Sequence, residues 1–177
     1  MDIKTALKEE HSKTVTMQIV RYIGTDHERF KALMDLFLGK DNRLSQRASW
    51  AVGFCGLAHP ELIYPHLKQM LANLDKPVHD AIKRNTVRIL ADMDYPEDML
   101  GEIADVSFRL LDDPKEAVAV RIFSMSVCLN ITKREPDLAN ELKIILEDHY
   151  PHGSAGFKSR AKKILKELRK MDTSSPL

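Results

Sequence analysis

Leu110-Leu111-Asp112-Asp113-Pro114-Lys115-Glu116-Ala117-Val118-Ala119-Val120-Arg121 is the stretch whose reading decides the fold. An apolar, helix-forming run ends at Leu111 and another begins within a few residues. Asp113 is suited to cap the second helix, Pro114 to occupy its first position, where no backbone donor is needed, and Glu116 to reach back and complete a capping box. Two helices joined so tightly must lie side by side and bury one face against each other.

Variants of this junction recur. Arg47, Arg84, Arg121 and Arg160 follow similar junctions at intervals of 37, 37 and 39 residues, and the helix-opening prolines Pro60, Pro96 and Pro136 are spaced by 36 and 40. Two kinds of marker sharing one period indicate a repeated helix pair, which cannot bury its apolar faces without stacking on its neighbours. The pairs read as about 2–24, 25–58, 59–94, 95–134 and 135–170. Residues 171–177 are expected to form a disordered tail.

Within the pairs, apolar residues keep helical spacing. Val15, Ile19 and Tyr22 or Ile23 mark one face of a helix opened by Ser12 and ended by Gly24. Thr25-Asp26-His27-Glu28 reads as a capping box before Phe30, Leu33, Met34, Phe37 and Leu38. Asp41 caps a run to Leu57 that is apolar on most sides, as an inner helix must be. Gly53 and Gly56 in that run predict close approach of a neighbouring helix backbone, and Trp50 reads as core. Pro65 predicts a kink or a delayed start in the helix after Pro60, and Pro77 predicts the start of that helix's partner.

The composition agrees with an all-α protein. Hydrophobic residues make up 44% and charged residues 30%, and there are only 7 glycines among 177 residues. No apolar run approaches the ~18 residues of a membrane span, and Met1-Asp2-Ile3-Lys4 lacks a signal-peptide pattern. A cytoplasmic location is the expectation, with Cys55 and Cys128 as reduced core residues. Net charge is +1. Residues 1–52 carry 9 Lys/Arg against 7 Asp/Glu, residues 53–152 carry 11 against 17, and residues 153–177 carry 7 against 2. The basic end and acidic middle allow weak electrostatic head-to-tail association of an otherwise monomeric chain. The near-zero balance disfavours a dedicated nucleic-acid binder.

The helix pairs, the Asp-Pro junction at Asp113-Pro114 and the second-helix arginines together resemble the HEAT-repeat family. Asp41 with Arg47 is a second local match, and the resemblance spans about residues 25–170. It implies an all-α, right-handed α-α superhelix, a solenoid of about five HEAT-like helix pairs in a single domain. It also implies a non-enzymatic scaffold that binds a protein partner on its curved surface. In that family the recurring Asp and Arg commonly bond between neighbouring repeats. Val78, Lys115 and Ser154 stand where the other arginines would need the Asp. The arginines therefore read either as a ladder tying repeats together or as a binding stripe of Arg47, Lys83, Arg84, Arg88, Arg121, Arg160 and Lys162 for an acidic partner or phosphate.

No catalytic motif, metal site or cofactor site is expected. The chain has no Gly-rich phosphate loop, no His-Glu-x-x-His and no Cys-x-x-Cys. The pairs His59/His66 and His149/His152 lack a third strong ligand. The alternative is a nucleic-acid-binding protein similar to the HEAT-like alkylpurine DNA glycosylases. That family's pattern sets an Asp one turn after a Trp, whereas Phe54 stands one turn after Trp50.

Overall fold

The computed structural model describes residues 1–173, which contain ten α-helices and no strand. They fall into two compact units, Met1–Asp94 and Tyr95 onward.

In the first unit the starts of α1 to α4 are set by local polar caps. Helix α1 (Ile3–Glu9) is capped by Asp2, and α2 (Lys13–Ile23) by Ser12. The cap of α3 (His27–Phe37) is Asp26, not Thr25; its carboxylate accepts from the amides of Glu28 and Arg29, both at 3.0 Å. Asp41 does the same for α4 (Asn42–Ala58), accepting from Arg43 and Leu44 at 3.1 Å. These carboxylates satisfy backbone donors that would otherwise lack partners. Gly24 ends α2 with φ +51°, a conformation that only glycine adopts cheaply.

Helix α4 is the inner helix of this unit, packing against α1, α2, α3 and α6 (Asp80–Asp92). Its Ala48, Ala51, Val52 and Cys55 are fully buried together with Phe30, Leu33 and Phe37 of α3. Each large side chain buried there contributes ~1.5–3 kcal/mol. Between α4 and α6, Pro60–Leu62 and Tyr64–His66 form two 3-10 turns before α5 (Leu67–Leu74). Pro65 thus delays the true helix start, because its ring cannot donate within a longer α-helix. Pro77 does not open α6; His79 caps it, Nδ1 accepting from the Ala81 amide at 3.0 Å.

The second unit repeats the plan. A 3-10 turn at Glu97–Met99 leads into α7 (Leu100–Asp112), which pairs with α8 (Val118–Thr132). A turn at Pro136–Leu138 leads into α9 (Ala139–His149), which pairs with α10 (Ala155–Thr173). Ser154 opens α10 by accepting from the Phe157 amide at 3.2 Å. Because α10 continues to Thr173, residues 171–173 are helical rather than tail; residues 174–177 lie outside the described residues.

The junction after α7 corrects the sequence expectation. Asp113 ends α7, and its carboxylate accepts from the Lys115 amide at 2.8 Å while its carbonyl accepts from Glu116. Pro114 and Glu116 therefore lie in a turn, and α8 begins only at Val118, with Ala117 as a cap that makes no side-chain bond. Both Asp side chains at this junction are drawn into local business: Asp113 closes the turn, and Asp112 meets His149 Nε2 at 3.0 Å.

Candidate functional site

The arginines are not equivalent. Arg47 stands six residues after its cap Asp41, Arg84 five after His79, Arg121 four after Ala117 and Arg160 six after Ser154. A nearly constant interval thus hides a slip in helical phase of about 100° per residue. At the position of Arg47, α6 carries Asn85 and α8 carries Phe123.

Their surroundings follow from this slip. Arg47 donates to the Leu7 carbonyl at 2.6 Å and to the Lys8 carbonyl at 3.0 Å, satisfying the open end of α1. Arg121 is only 8% exposed. Its Nε donates to the Leu111 carbonyl at 2.9 Å, and its guanidinium lies 4.5 Å from the Phe157 ring centroid. Burial pulls its pKa down, and Asp112 and Asp113 push it back up. Arg160 donates to Ser126 Oγ at 2.7 Å, joining α10 to α8. These three arginines tie helices together, and buried Arg121 takes no part in an exposed stripe. Arg84 is exposed, Lys83 and Arg88 are half-buried, and all three are on α6; Lys162 is exposed on α10.

Arg88 leads to a different face. Its guanidinium lies 5.9 Å from the ring centroid of Phe54 on α4. The Phe54 ring is 6.2 Å from Trp50, and Trp50 is 5.8 Å from His11 in the link between α1 and α2. Trp50 and Phe54 are half-buried, not core: they point off the α4 stripe formed by Ala48, Ala51, Val52 and Cys55. The helices α4 and α6 run in the same direction, as Asn85 meets Ser49 and Ile89 meets the backbone at Gly56. One turn before the Phe54–Arg88 pair, the same faces carry Trp50 and Arg84.

The result is a strip of three aromatic rings with the Arg88 guanidinium beside Phe54 and Arg84 one turn earlier on the same helix. Large amphipathic rings beside arginine are what binding surfaces use to gain contact area and direct polar bonds together. The sequence alone places Arg84 and Arg88 among the binding residues, but it assigns Trp50 to the core and Phe54 to the apolar residues of the inner helix. The missed signal is the i, i+4 spacing of Trp50–Phe54 against that of Arg84–Arg88.

The close approach behind this strip depends on Gly53 and Gly56. A Cβ at Gly53 would lie 3.0 Å from Asn85 Oδ1, and one at Gly56 2.9 Å from Ile63 Cδ1 and 3.0 Å from Ile89 Cδ1. The neighbours are side chains, not the helix backbone expected from the sequence.

The histidines are apart from one another in role. His59 faces Glu61 at 3.3 Å, His66 packs edge-on against Phe30 at 5.7 Å, and His149 meets Asp112. Among the described residues no group of three or more His, Cys, Asp or Glu side chains is arranged to hold a metal ion. No helix among them is long and apolar enough to cross a membrane.

A family model described as a HEAT repeat domain matches residues 3–168. The chain belongs to the HEAT-repeat family. No curated protein and no solved structure matches it. As a HEAT-repeat protein it is an all-α succession of helix pairs, an architecture that often mediates protein interaction. The match includes the first pair, α1 and α2, which the sequence resemblance left out.

Proposed function

We propose that this HEAT-repeat protein is a non-catalytic, cytoplasmic interaction module that binds a protein partner through the α4–α6 strip. The observation that carries this reading is the half-buried Trp50–Phe54 ladder with Arg88 against it. The partner's complementary chemistry is an acidic segment with an aromatic or aliphatic anchor. The anchor would lie on Trp50 and Phe54, and its carboxylates would meet Arg84 and Arg88. The scaffold requires little rearrangement, since both helices are fixed by their packing at Gly53 and Gly56. Free, buried Cys55 and Cys128 support a reducing compartment.

A second reading is supported by the same ladder: nucleic-acid bases stack on half-exposed aromatic rings beside arginine. The near-neutral charge of +1 and the absence of a carboxylate one turn after Trp50 weigh against it and against glycosylase chemistry.

Trp50 is the only tryptophan in the chain, so its emission reports directly on this strip. Titration with an acidic peptide carrying Leu and Phe should shift that emission saturably, and Arg88→Glu should abolish the shift. A single-stranded oligonucleotide should leave it unchanged at moderate salt. A saturable oligonucleotide response with a steep salt slope would replace the first reading by the second. No response to either ligand would remove the strip as a binding face.

A further inference from the structure

A second face lies in the second unit, on α9 and α10. There a cavity of about 550 Å³ opens between the two helices. Its floor is Tyr150, Pro151 and Leu165, and its rim carries Lys162, Lys166 and Arg169. Aligning α10 with α8 by their caps, Ser154 and Ala117, places Lys162, Leu165, Lys166 and Arg169 at the positions of Met125, Cys128, Leu129 and Thr132. All four α8 residues are buried. The α10 face therefore occupies positions that the preceding pair covers by helix packing. Here the floor stays apolar, and only the rim is charged, almost all of it positive.

We propose that this groove seats an acidic amphipathic helix from a partner protein. A helix is the occupant because the neighbouring pair, α7 and α8, is itself covered by helices, α9 and α10. Its apolar face would cover Tyr150, Pro151 and Leu165, and its carboxylates would meet the cationic rim. A basic helix would face those cations with like charge; among the described residues Glu147 is the one acid lining the groove. The groove is independent of the α4–α6 strip, so its failure would leave that strip's reading untouched.

The test uses the full chain and a labelled synthetic peptide of about 18 residues, with Leu at i, i+3, i+4 and i+7 and Glu elsewhere. Fluorescence anisotropy should show saturable binding at least about tenfold tighter than for a peptide of equal composition with its leucines scattered. A Lys-for-Glu peptide should not bind. The double variant Lys162→Glu/Lys166→Glu and the single variant Leu165→Glu should each weaken binding at least about tenfold, with circular dichroism unchanged. Trp50→Ala/Arg88→Ala should bind as well as the parent. Absent binding, equal binding of the scattered peptide, or unchanged binding by Lys162→Glu/Lys166→Glu would overturn the proposal. So would sedimentation showing that a second copy of the chain covers this face.

Discussion

Asn85 of α6 donates its side-chain amide to Ser49 Oγ of α4 at 3.1 Å and to its own helix at the Ala81 carbonyl at 2.9 Å. The amide is fully buried, and its oxygen sits where a Cβ at Gly53 would come. A glycine on one helix and a bonded asparagine on the next thus fix the approach of α4 and α6, on which the spacing of Trp50, Phe54 and Arg88 depends.

Gly53→Ala should destabilise the protein by about 1–2 kcal/mol, even though alanine favours a helix interior by ~1 kcal/mol, because the new methyl must displace a buried, bonded amide. Asn85→Ala alone should cost about 1–3 kcal/mol. The double variant should cost less than the two singles added, since removing the amide makes room for the methyl. Urea denaturation of the four proteins measures the coupling; strict additivity would show that the two positions do not constrain each other.

Arg121→Lys should cost about 1–2 kcal/mol although the charge is kept. Lysine lacks the planar group that both donates to the Leu111 carbonyl and stacks on Phe157. Arg160→Lys should be milder, because Arg160 is only half-buried and its guanidinium donates to the Ser126 hydroxyl, which a lysine ammonium can also reach. Urea midpoints of the two variants give the order, and a reversed order would contradict the anchoring role of Arg121.

Burial holds the pKa of His66 below its ordinary 6.5; Asp35 opposes that shift, while Lys31 and His27 add to it. The unfolded chain therefore takes up this proton first. Stability is fully present above pH ~6.5 and falls as pH drops through the depressed folded value. His66→Gln should flatten that part of the profile, read from urea midpoints between neutral and mildly acid pH. Asp2 and Asp26, lowered from 3.8 chiefly by backbone hydrogen bonds, act only at much lower pH. An unchanged slope in His66→Gln would show that another group governs this window.

The two thiols should be silent to aqueous thiol reagents at pH 8. Burial pushes Cys55 up to about 12 and Cys128 well above its ordinary value, so neither supplies thiolate in the folded state. Both should react in denaturant. Fast labelling of the native protein would mean that α4 or α8 opens far more readily than its packing implies.

Much of the helical plan was legible because it is local chemistry. Ser12, Asp41 and Ser154 cap their helices through contacts within a few residues. Gly24 ends α2 for a reason contained in its own φ. The candidate site was only half legible. Arg84 stood out as one of the recurring arginines and Arg88 as a cation near it, but a Trp in an apolar run reads the same whether it faces a neighbouring helix or stands at the edge of one. The arginine interval misled because a repeat length of about 37 residues is insensitive to a shift of one or two, whereas a helix turns through ~100° at each.

The sequence by itself determined the succession of helices, the caps at Ser12, Asp41 and Ser154, and the HEAT-repeat character, since capping and apolar spacing act over one or two turns. Only the tertiary structure decided that Arg121 is buried on Phe157, that Trp50 and Phe54 form a surface strip with Arg88, and that Pro114 lies in a turn rather than at the start of α8. Those outcomes depend on which side of each helix its neighbours cover, and that is set by contacts between residues tens of positions apart.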